Sequence, residues 1–128
     1  MREGKGNKIV YKALSYKIVG CFYKVYNALG PGHKESVYQK AVSLEFDTQK
    51  ILFKEQNKIQ LKYDGKIVGV YIPDFIVEDK VIIEIKSVLM LSKVYEQQLF
   101  YYLKSSGYKL GYLVNFGAER IEIKRRVN

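Results

Sequence analysis

Asp74, Glu84 and Lys86 have the types and spacing to do hydrolytic chemistry, with nine residues between the first acid and the second. Glu84 and Lys86 stand in Val81-Ile82-Ile83-Glu84-Ile85-Lys86, where everything else is apolar. A charged group in such a run must be paired, reach a solvated edge or bind a cation, because an isolated buried carboxylate is costly and shifts its pKa instead. Two positions apart on a strand, both side chains leave one face while Ile83 and Ile85 leave the other. A short hairpin would bring Asp74, which follows Pro73, close to Glu84. Two carboxyls so placed repel unless a cation lies between them, and oxygen-only ligands suit Mg²⁺ or Mn²⁺. The backbone carbonyl of Ile85 could add a third oxygen. The competing reading is an ion-paired network, Glu84 with Lys86 or another basic neighbour, and these residues alone do not separate the two.

The elements that must position them follow from periodicity. Val10, Leu14, Ile18, Phe22, Val25, Tyr26 and Leu29 recur with a helical period over 9–29, and Gly30-Pro31-Gly32 stops that helix. A second helix is expected over 34–49 through Val37, Ala41 and Leu44. After Lys50 the period changes to two: Ile59, Leu61 and Tyr63 alternate with Lys58, Gln60 and Lys62 up to an Asp64-Gly65 turn and the run 67–72, which reads as a β-hairpin. Strands at 75–77 and 81–85, joined by Glu78-Asp79-Lys80, are apolar enough to be covered on both faces. Ser92 caps a helix to about Lys104 that ends at Ser106-Gly107, and strands return at 108–116 and 121–124. The order ααβββ(β)αββ predicts an α/β fold, a central mixed β-sheet flanked by helices as a three-layer sandwich.

With 128 residues and hydrophobic content of 48%, residues 9–128 are expected to form a single domain behind a flexible N-terminus, 1–8. The 22 Lys and Arg against 13 Asp and Glu leave a formal +9, a field able to collect polyanions, so nucleic acid is the leading partner. Neither a membrane span nor a signal peptide fits, and a cytoplasmic protein is expected. Cys21, alone, reads as core filler. A Ser-His-Asp triad or a His-Cys zinc site has almost no raw material, since His33 is the one histidine. Gly30-Pro31-Gly32 lacks the lysine-serine and preceding strand of a phosphate loop, which excludes that kind of nucleotide site.

The Pro-Asp step, the Glu-x-Lys in an Ile-rich strand and the basic charge together resemble the PD-(D/E)xK nuclease superfamily, whose fold is restriction-endonuclease-like. The resemblance implies that Asp74 and Glu84 bind the metal and that Lys86 orients or deprotonates the attacking water. Gly32-His33-Lys34-Glu35-Ser36-Val37-Tyr38 fits the GxxExxY pattern of a prokaryotic group in that superfamily, which the segment from Tyr102 to Gly117 also resembles. Gln98-Leu99-Phe100-Tyr101-Tyr102 fits the QxxxY element of RecB-type nucleases. By the same resemblance Glu35 is a further acid facing the metal, directly or through water. Without it, Glu35 would read as a first-turn acid complementing the helix dipole. Gln98 and Tyr102, four apart on one helix face, would steady Lys86 or the scissile phosphate, or else form a polar edge of the core. Tyr38 supports the site structurally, and His33 touches a phosphate or is a solvated loop residue.

The expected function is metal-dependent hydrolysis of phosphodiesters in DNA. Two other readings compete: a catalytically inactive nucleic-acid-binding module that keeps the fold within a larger assembly, and a basic scaffold domain. The edge near Ile121-Glu122-Ile123 leaves a homodimer open.

Overall fold

The computed structural model describes residues 10–128. The expectation for the N-terminus, 1–8, and the first residue expected in the first helix, Ile9, lie outside them.

Helix α1 (Lys12–Leu29) buries Ser15, Ile18, Cys21, Phe22 and Val25, the face set by a period of 3.6. It stops where Gly30 takes φ 69°, a left-handed value that glycine adopts without a Cβ clash. Helix α2 (Glu35–Thr48) is one residue shorter at each end than its periodicity predicts, since Lys34 and Gln49 are its caps. It buries Tyr38, Val42, Ser43 and Phe46.

Five strands form the central sheet in the order β1-β4-β5-β6-β7, comprising β1 (Phe53–Glu55), β4 (Phe75–Val77), β5 (Val81–Lys86), β6 (Leu110–Asn115) and β7 (Glu122–Val127). The pair β5/β6 is parallel and its neighbours are antiparallel, so the sheet is mixed. Strand β1 was not anticipated. Only three residues long, it carries no periodic signal. Pairing with β4 holds it, as does the Phe53 ring, 5.5 Å from both Phe46 and Phe75. Strand β7 runs past the expected Lys124 to Val127, its basic residues paired at the edge with β6. Strand β6 is shorter than expected, beginning at Leu110.

The predicted hairpin, β2 (Ile59–Tyr63) and β3 (Lys66–Tyr71), stands apart as a two-stranded sheet. Asp64 (φ 53°) and Gly65 (φ 76°) make its tight turn in the left-handed region, as an Asp-Gly pair in a primed turn should. Helix α3 (Lys93–Ser106) starts at Ser92, whose side chain accepts from the Val94 N–H at 3.3 Å, and ends at Gly107 with φ 84°.

The sheet separates two apolar layers. On one face α1 and α2 pack over Phe75, Val77, Val81, Ile83, Ile85, Leu110, Tyr112 and Val114. On the other, α3 and the hairpin pack over Ile82 and Leu113, with Tyr71, Leu99 and Leu103. Each fully buried Ile or Phe contributes about 1.5–3 kcal/mol, so both faces of β5 are strongly committed and its register admits no slip. This is the restriction-endonuclease-like α/β arrangement of a mixed sheet between helices. No helix among the described residues is long and apolar enough to cross a membrane.

Candidate active site

Alternation along β5 sends Val81, Ile83 and Ile85 toward α1 and α2, and leaves Glu84 and Lys86 on the α3 face. The antiparallel register Phe75↔Ile83, extended by one step, sets Asp74 opposite Glu84. Glu78 and Asp79, both at positive φ (50° and 54°), close that hairpin tightly enough to make the register unambiguous. Asp74 Oδ2 accepts from the Ile85 N–H at 2.7 Å. Because the N–H and C=O of one strand residue point to the same side, the Ile85 carbonyl leaves the edge of β5 that its N–H leaves.

The two acids interact directly. Burial pushes Glu84 up to about 7, helped by the Asp74 charge and a shared carboxyl hydrogen bond and opposed by the Tyr71 hydroxyl and the Lys86 charge. Burial also raises Asp74, against the Ile85 N–H, the Glu84 hydrogen bond and Lys86, which lower it. Two half-buried carboxyls whose pKa values are raised by burial give up their protons to a cation, and an oxygen-only donor pair fits a hard divalent ion.

The Lys86 charge acts on both acids without a close ion pair. Among the described residues no salt bridge involves Lys86. Its Nζ instead lies 4.3 Å from the centre of the Tyr95 ring. Glu84, Lys86, Tyr95, Gln98, Leu99, Tyr102 and Leu113 line a cleft of about 20 Å³, room for roughly one water. Gln98 is exposed at its rim. Among the described residues, no hydrogen bond or ring contact joins Tyr102 to Lys86. Tyr102 stacks on Tyr71, ring centres 3.8 Å apart and planes 15° apart, and the Tyr71 hydroxyl donates to Glu84 Oε2.

Glu35 opens α2 and is exposed. Gln39, one turn further on, reaches the Asp74 backbone carbonyl at 3.5 Å and Glu55 Oε2 at 3.3 Å. Among the described residues no three His, Cys, Asp or Glu side chains are grouped closely enough to hold an ion, so Asp74 and Glu84 stand as a pair with Glu35 apart. His33 and Tyr38 secure the loop before α2. The Tyr38 hydroxyl donates to the Gly30 carbonyl (2.5 Å) and accepts from the His33 N–H (3.2 Å), and its ring stacks on Phe116 at 4.5 Å. The His33 ring nitrogen meets the Leu29 carbonyl at 3.0 Å, and Ser87 Oγ donates to the His33 carbonyl at 2.5 Å. This loop is thereby tied to the residue after Lys86.

The sequence reading passed over several of these residues. Asn115 is fully buried and clamps the chain beyond Lys86: its Oδ1 accepts from the Val88 N–H (2.9 Å) and the Gly117 N–H (3.0 Å), while Nδ2 donates to the Val88 carbonyl (2.9 Å) and Glu122 (2.7 Å). The signal that singled out Glu84, a polar residue in an apolar strand, was equally present for Asn115. Tyr95 lies three before Gln98 on the same helix face and could have been found by period. Tyr71 carried no local signal beyond alternation.

The family model described as the PD-(D/E)XK nuclease superfamily matches residues 12–126, and the chain belongs to that superfamily. No curated protein matches it.

Proposed function

We propose that the chain is a divalent-metal-dependent nuclease that hydrolyses phosphodiester bonds in DNA, a member of the GxxExxY branch. The carboxyls of Asp74 and Glu84, set opposite each other by the β4/β5 register, beside a Lys86 that forms no salt bridge, carry this reading. Asp74, Glu84 and the Ile85 carbonyl would hold Mg²⁺ or Mn²⁺, and Glu35 would reach it through water. When bound, the ion lowers the pKa of a water ligand and offsets charge developing on the phosphoryl and leaving oxygens. The chain's own groups do the rest. Lys86 orients the attacking water from the cleft wall, with Tyr95 fixing the ammonium by its ring face. Gln98, at the rim, would hydrogen-bond an entering phosphate oxygen.

The assay is cleavage of labelled single- and double-stranded DNA by the full chain with Mg²⁺ or Mn²⁺, against Asp74→Ala and Lys86→Ala. Cutting that needs the metal and is lost in both variants is expected. Cutting that survives both refutes the assignment, and DNA binding with no cutting by the unaltered chain favours the inactive binding module.

A further inference from the structure

The hairpin β2/β3 is not hydrogen-bonded into the central sheet, yet its last residue, Tyr71, is 5% exposed and reaches Glu84. From this we infer that Tyr71 is a positioning residue, which occupies one oxygen of Glu84 and so leaves the other alone to a divalent cation. The inference rests on the proposed metal site at Asp74 and Glu84.

Three contacts fix Tyr71. Its backbone is paired to Ile59 across the hairpin. Its ring is stacked on Tyr102 of α3 at 3.8 Å and packed with Ile82, Leu99 and Leu113. Its hydroxyl donates to Glu84 Oε2. A tyrosine serving packing alone would send its hydroxyl to solvent or to a backbone carbonyl. Here the hydroxyl ends on the partly buried acid. Donation to a carboxylate favours its ionised form and fixes its rotamer. Tyr102 then acts through Tyr71: its ring holds the ring that holds Glu84.

A glutamate with one free oxygen discriminates between ions. Mg²⁺ and Mn²⁺ accept single-oxygen carboxylate ligation in a small octahedral shell, whereas Ca²⁺ favours a larger shell that takes both oxygens of a glutamate. Tyr71 therefore biases the site toward the smaller ions.

The test is calorimetric titration of the full chain and of Tyr71→Phe with Mn²⁺ and, separately, Ca²⁺. Phenylalanine removes the hydroxyl and keeps the stack. The expected result is about a tenfold loss of Mn²⁺ affinity with Ca²⁺ affinity held or raised, so that the preference between the two ions narrows. An unchanged preference, whether neither affinity moves or both fall alike, overturns the positioning role. Binding of neither ion by the unaltered chain overturns the metal site itself, which is a separate failure. A second measurement does not depend on the variant's stability. In the chain labelled with ¹³Cζ-tyrosine, a buried tyrosine resonance is expected to shift on addition of Mg²⁺, and a spectrum in which no tyrosine moves also overturns the role.

Discussion

The Lys86 ammonium rests 4.3 Å over the centre of the Tyr95 ring and forms no salt bridge with either acid two or more positions away. A lysine paired to Glu84 would have its protons committed to that carboxylate. Held by a ring face, it keeps donors free for a water or a phosphate oxygen.

Tyr95→Ala is therefore expected to lower kcat about tenfold, the worth of a partly desolvated cation–π contact of ~1.4 kcal/mol. Tyr95→Phe, which keeps the ring face, should retain most of it. Steady-state cleavage kinetics separate kcat from KM, and equal rates for the Ala variant and the unaltered chain would remove Tyr95 from the site.

Glu84 makes stability pH-dependent in an unusual direction. Its folded pKa, about 7, lies above its ordinary value of 4.5. Between those values the folded molecule keeps a proton that the unfolded chain gives up, so the metal-free protein loses stability as pH rises through that window. Below it both states are protonated and nothing is lost. Glu84→Gln should thus raise Tm at about pH 8 and change it little at about pH 4, as read by thermal melts in chelator. Saturating Mn²⁺ should raise Tm of the unaltered chain more at the higher pH, where the ion meets ionised ligands. A Glu84→Gln gain equal at both pH values would contradict the linkage.

The segment after Lys86 depends on Asn115 and Gly117. Asn115→Ala strands the Val88 N–H and C=O, and is expected to cost about 3 kcal/mol and roughly 10 °C in Tm. A Cβ at Gly117 would lie 2.3 Å from the Val88 nitrogen and 2.5 Å from the Ser87 carbonyl carbon, so Gly117→Ala must displace that backbone. Both variants should lose cleavage activity even well below their melting temperatures. Full activity in a folded Gly117→Ala protein would show that the segment does not set Lys86.

The formal charge of +9 predicts strongly salt-dependent DNA binding. About four phosphate contacts would weaken binding roughly a hundredfold between about 50 and 200 mM salt. Fluorescence anisotropy in chelator measures this, and a flat response would remove the electrostatic footing of the DNA assignment.

Long periodic segments were legible from sequence. The period of 3.6 in α1 and α2 and the alternation in β2/β3 reflect burial of one face, which is a local pattern. Strand β1 was not, because at three residues its pairing with β4 decides it. The lengthening of β7 through Lys124-Arg125-Arg126 was likewise set by its partner strand, since charged residues give no apolar alternation to read.

At the site, the sequence by itself determined which groups are present and which face they share: Glu84 and Lys86 leave β5 together because a strand repeats every two residues, and a short hairpin can only set Asp74 beside Glu84. What those groups touch was decided by tertiary structure. Tyr71 and Tyr102 meet only because the hairpin leaves the sheet and folds against α3, and Tyr95 reaches Lys86 only because α3 crosses that face. These contacts join elements remote in sequence. Their geometry depends on how the layers pack, which no local period records.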